Sequence, residues 1–87
     1  MNVAVWDTYV TKKDGTIMHF DIIVPEEIKS KETVYGYGKT YLTSKGQKEQ
    51  ALTTNECTFC HIETVRSDWE KCINQQGYFI YEIENCN

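Results

Sequence analysis

An 87-residue chain with nine Lys and Arg against thirteen Asp and Glu carries a formal charge of −4. That is the wrong sign for a protein that binds nucleic acid by displacing counterions from phosphates, and the lysines are scattered rather than gathered into a basic stripe. Six Tyr, three Phe and two Trp supply too much bulky apolar surface for a disordered chain, and no apolar run approaches the roughly 20 residues that span a bilayer.

These bounds predict one domain over residues 1–87, with no nucleic-acid or membrane partner. The opening Met1-Asn2-Val3-Ala4-Val5-Trp6-Asp7 has no basic leader and meets an acid early, so a cytoplasmic location is expected. There the four cysteines stay reduced, and metal binding, catalysis or burial is expected of them before disulfide formation.

Residues 3–10 are β-branched and aromatic, which reads as a strand. Lys12-Lys13-Asp14-Gly15 supplies a turn, and Thr16 to Val24 returns with Met18, Phe20, Ile22 and Val24 alternating onto one face. A two-residue Asp14-Gly15 loop would set Tyr9 opposite Phe20 and Asp7 opposite Ile22. Trp6, Thr8, His19 and Asp21 would then share the other face. Pro25 closes the strand, because it has no N–H for a ladder.

From Ser30 to Lys45 the pattern turns helical, with Ser30 as N-cap, Glu32 in the first turn and a Val34, Tyr37, Tyr41, Leu42 stripe. Gly36 and Gly38 weaken this helix unless they let it approach a sheet closely. Residues 47–55 form a polar connector, and Cys57 to Val65 returns to strand character. Ser67-Asp68-Trp69-Glu70 has the form of a capping box opening a second helix that stops at Gly77. Tyr78 to Ile83 is a last strand. The order β-β-α-β-α-β predicts an α+β two-layer sandwich. A small mixed sheet would carry both helices on one face, with the third and fourth strands parallel.

The chemistry-bearing stretch is Glu56-Cys57-Thr58-Phe59-Cys60-His61. Its Cys-x-x-Cys-His spacing matches c-type haem attachment, but haem proteins of that type are assembled after export and this opening resembles no export leader. Two thiolates at this spacing can bend onto one tetrahedral Zn²⁺. Cys57, Cys60 and His61 are then candidate ligands, completed by Cys86 or His19. A redox pair would instead open a helix whose dipole lowers a thiol pKa, whereas Ile62 to Val65 favour a strand. Burial of the thiols as small hydrophobes competes with both readings, and Cys72 sits on the apolar side of the second helix. His19 and Asp21 alternate on one strand face and form a second candidate surface, of the kind that supports general-base work. There is no nucleophile elbow, phosphate loop or zinc-protease helix.

Val5-Trp6-Asp7-Thr8-Tyr9-Val10, Met18-His19-Phe20-Asp21, the Glu56–His61 stretch, Gly77-Tyr78-Phe79-Ile80-Tyr81 and the closing Cys86-Asn87 together resemble the bacterial family known as domain of unknown function 2024. The resemblance implies a stand-alone bacterial α+β domain. It implies no activity and transfers no functional residue. The expected function is therefore a non-enzymatic binding or assembly module with a protein or small-molecule partner. The alternative is a zinc-binding or thiol-redox protein centred on Cys57, Cys60 and His61.

Overall fold

The computed structural model describes residues 1–47 and 57–86. Its elements are β1 (Asn2–Thr11), β2 (Ile17–Pro25), α1 (Lys31–Ser44), β3 (Cys57–Thr64), α2 (Ser67–Gln76) and β4 (Phe79–Glu84), so the α+β order read from the sequence holds. The expected connector over residues 47–55 lies outside the described residues except for Gln47, whose side-chain oxygen accepts a hydrogen bond from Lys13 N at 3.0 Å. Among the described residues no helix is long and apolar enough to cross a membrane.

The hairpin is present but one residue out of the expected register. Lys12 N donates to Thr16 O at 2.7 Å, leaving a three-residue loop whose Gly15 takes φ +91°. Asp14 braces that loop by accepting from both Thr16 N and Thr16 Oγ1. A three-residue loop ending in a left-handed glycine adds one position compared with a two-residue turn. Every partner therefore shifts: Tyr9 opposes His19, Asp7 opposes Asp21, Thr8 opposes Phe20 and Trp6 opposes Ile22. Because side chains alternate with a period of two, the slip exchanges faces. Trp6 and Thr8 join Phe20 and Ile22 in the core, and Asp7 joins His19 and Asp21 on the other side.

The sheet runs β3-β1-β2-β4 and every pairing is antiparallel, which corrects the expected mixed sheet and the parallel third and fourth strands. The hairpin lies between β3 and β4, so the connection through α2 joins opposite edges of the sheet rather than neighbours. Both helices do not share a face either. α1 contributes Val34, Tyr41 and Leu42 to a cluster with Ala4, Trp6, Val10, Met18, Phe20, Ile22 and Val24. α2 contributes Trp69 and Ile73 to a second cluster with Val3, Val5 and Ile23. Ala4 and Val5 are consecutive strand residues and point to opposite faces, so the molecule has three layers. The sequence anticipates this in one respect: β1 is apolar at both Ala4/Trp6 and Val3/Val5, as a strand covered on both sides must be.

α1 begins as expected, with Ser30 Oγ accepting from Thr33 N at 3.3 Å. The capping box does not form. Ser67 lies inside α2, Arg66 holds the N-cap position and no side chain caps the helix. Gly77 ends α2 at φ +96°, where its N–H reaches Ile73 O.

The two helices cover their faces differently. α1 packs over Phe20, Ile22 and Trp6, and Tyr41 and Lys45 at its C-terminal end are tied to Glu82 of β4. α2 must link β3 and β4 across four strands, about 14 Å, and its ten residues span about 15 Å. It therefore lies crosswise over the Val3, Ile23 and Phe79 end, leaving the hairpin end of that face open.

Candidate functional site

The open half-face presents Asp7 and Tyr9 from β1, His19 and Asp21 from β2, and Tyr81 and Glu84 from β4. Asp7 and Asp21 are directly opposed, an arrangement of like charges that an antiparallel pair ordinarily avoids. A proton relieves it. Burial first, then the hydrogen bond and charge of Asp7, push the Asp21 carboxyl up to about 6. His19 Nε2 lies 2.5 Å from Asp7 Oδ1, and the Tyr9 ring stacks on the imidazole with centroids 4.1 Å apart and planes 14° from parallel. That stack fixes the imidazole edge-on to the carboxylates. The negative charge of Asp7 is also the main reason the exposed Tyr9 phenol is held above its ordinary value.

One imidazole nitrogen and two carboxylate oxygens, from Asp7, His19 and Asp21, all lie within 4.8 Å of one another. Among the described residues this is the one group of three or more His, Cys, Asp or Glu side chains so placed. A shallow recess of about 240 Å³ adjoins it, lined by Asp21, His61, Glu63, Arg66, Trp69 and Tyr81. In that recess the Arg66 guanidinium stacks 4.4 Å from the Trp69 ring centroid. His19 and Asp21 were anticipated as a surface pair; Asp7 was not. The signal for it was present in the alternation of Asp7 and Tyr9 along β1, but it points at His19 only in the observed register.

The cysteine-centred set does not converge. Cys57 pairs with Thr8 on the α1 side and His61 pairs with Val5 on the α2 side, with a bulge between them at Cys60. A Cys-x-x-Cys held in an extended strand spreads over about 10 Å rather than folding back on itself. Cys57 is buried in the main core, its sulfur 3.4 Å from the Thr8 hydroxyl, and burial pushes its thiol up. Cys60 is exposed at the sheet edge, 3.3 Å from its neighbour His61 Nδ1. Cys86 is buried with its thiol donating to His19 O at 3.4 Å and Glu84 O at 3.3 Å, so it pins the end of the chain to β2. Cys57, Cys60, His61 and Cys86 thus occupy the core, the edge, the opposite face and the chain end.

This placement has a direct readout. Brief native-state treatment with a thiol reagent, followed by peptide mapping, is expected to mark Cys60 on the order of a hundredfold faster than Cys57, because the latter reacts only through local opening. Equal rates at the two positions would contradict the divergent geometry.

The fold and these positions can be set beside known proteins. No curated protein matches the chain. The NMR structure of protein NE1680 from Nitrosomonas europaea, a structural genomics target, is similar to it over 100% of both chains, with 39% sequence identity and a TM-score of 0.87. The family model described as Domain of unknown function (DUF2024) matches residues 1–83. With the match running from β1 into β4 and the same architecture in a relative at this identity, the chain belongs to that family.

Proposed function

We propose that the protein is a non-enzymatic binding module and that one ligand is a divalent cation, zinc included, held by Asp7, His19 and Asp21. The observation that carries this reading is the convergence of their three ligating atoms within 4.8 Å of one another. Nitrogen and oxygen ligands bound at about 2.0–2.2 Å to one ion stand roughly 3–4 Å apart, so a small inward adjustment of the side chains suffices. An imidazole and two carboxylates offered from one sheet face leave the remaining positions of such an ion open to water or a further ligand. The zinc expected on the cysteines moves, in this reading, to an oxygen-rich trio.

Electrostatics supports the same choice. Asp21 holds its proton up to about pH 6 because a second negative charge beside Asp7, half out of water, is costly. A cation relieves that cost more completely than a proton, and its binding displaces the proton. The test is calorimetric titration of the untagged protein with Zn²⁺, Mn²⁺ and Mg²⁺, followed in parallel by the His19 ring signals. Saturable 1:1 binding is expected, weakening as the pH falls through about 6 and releasing protons there. An absence of heat and of any His19 response at millimolar metal would end the proposal.

A further inference from the structure

Among the described residues β3 is an outermost strand with β1 on only one side, so its other flank carries backbone groups without a partner strand there. Proteins that stay monomeric often guard such an edge with Lys, Pro or a bulge; residues 57–64 contain neither Lys nor Pro, and the bulge at Cys60 leaves His61 to Thr64 in regular strand beyond it. The strand is also apolar where it need not be. Phe59 and Ile62 are 52% and 45% exposed on the α1 side. They border a groove of about 310 Å³ whose other walls include Ala4, Trp6 and Ile28. α1 does not cover this side, because it packs over β2.

On the α2 side the same strand presents His61 and Glu63, with Nε2 and Oε2 3.6 Å apart. We propose that β3 pairs antiparallel with β3 of a second copy, about a two-fold axis through Ile62, joining the sheets of the two copies into one. In that register His61 opposes Glu63 of the second copy, Glu63 opposes its His61, and the two Ile62 side chains meet on the axis. Donor and acceptor matching selects the register. An axis through His61 sets imidazole against imidazole and Glu63 against Phe59. An axis through Glu63 sets carboxylate against carboxylate. An axis between two residues sets His61 or Glu63 against an apolar or neutral neighbour. An imidazole N–H can donate to a carboxylate set directly across from it, whereas two carboxylates repel each other, so the alternation His61, Ile62, Glu63 is complementary to itself. The contact uses the same patch on both copies and closes as a dimer rather than propagating. This inference is independent of the cation reading, which involves neither Ile62 nor the β3 flank.

Sedimentation of the full chain over a range of concentrations at pH 7 tests it. A monomer–dimer equilibrium is expected. His61→Glu, which sets like charges opposite at both symmetry-related positions, should weaken the dimer roughly tenfold. Adding Glu63→Lys to that variant should restore it. In a Cys60→Ser background, Ile62→Cys should give a disulfide-linked dimer on mild oxidation, since residues on the axis face each other at bridging distance. All these side chains are at least partly exposed, and circular dichroism verifies that the variants fold. A monomer at every concentration overturns the proposal. So does a dimer indifferent to His61→Glu, or one that fails to cross-link through Ile62→Cys, which would place the contact elsewhere.

Discussion

Replacing Phe20 by alanine is expected to cost about 3–5 kcal/mol of folding stability, the range for deleting a fully buried aromatic side chain. Phe20 is 0% exposed and its ring lies 4.7 Å from that of Tyr41, tilted by 53°. It therefore joins the centre of β2 to the second half of α1. Two further contacts converge on the same place. Tyr41 donates its hydroxyl to Glu82 at 2.5 Å, and Lys45 reaches the same carboxylate at 2.9 Å, tying α1 to β4. Loss of the Phe20 ring leaves a cavity beneath Tyr41 that neither rigid neighbour can fill. A domain of this size has a total stability on the order of 5–10 kcal/mol, so Phe20→Ala should remove much of it. The denaturant midpoint measures the effect. A loss below about 1 kcal/mol would mean that α1 is held by something other than this contact.

Asp21→Asn is expected to raise stability while weakening cation binding, the usual exchange at a strained functional site. Asp21 titrates near 6 in the fold against about 3.9 in an unfolded chain. A carboxyl with a raised folded-state pKa contributes stability that is fully present below the unfolded value and lost as the pH rises through the folded one. The native protein should therefore weaken between about pH 4 and pH 6.

Full burial at this shift would make the loss about 3 kcal/mol. Asp21 is only partly buried, so screening by water reduces it to roughly 1 kcal/mol. Asparagine keeps the shape without the charge. At pH 7 the variant should melt about 5 °C higher than the parent, and the difference should vanish near pH 4. Its affinity for a divalent ion should fall at least about a hundredfold, since loss of an outer-shell partner alone costs ten- to a hundredfold. A variant that is less stable at pH 7, or that binds metal unchanged, would show that Asp21 is neither the strained carboxyl nor a ligand.

The fate of the two candidate sites shows what limits sequence reasoning on such a chain. The Cys57–His61 stretch concentrates reactive residue types in five positions, and proximity along the chain suggested proximity in space. An extended strand defeats that inference, because neighbouring side chains leave on opposite faces. The Asp7–His19–Asp21 trio shows the converse. Its members are spread over fifteen positions of sequence, and only pairing across the hairpin gathers them. The residues for it were visible, and His19 and Asp21 were already placed on one face. A single added loop residue at Lys13–Gly15 decided whether Asp7 or Trp6 joined them.

From the amino-acid order alone follow the identities and sequence of the six elements, the Ser30 cap, the Gly77 stop, the Met18, Phe20, Ile22, Val24 face of β2 and the Val34, Tyr41, Leu42 stripe of α1. Each of these depends on groups only a few positions apart, through turn chemistry, capping or alternation. Tertiary structure alone decided the antiparallel order of the strands, the placement of the helices on opposite faces and the open half-sheet with its carboxylates and imidazole. These depend on which edge a strand joins and on how far a ten-residue helix can reach across the sheet. Both are set by packing between segments distant along the chain.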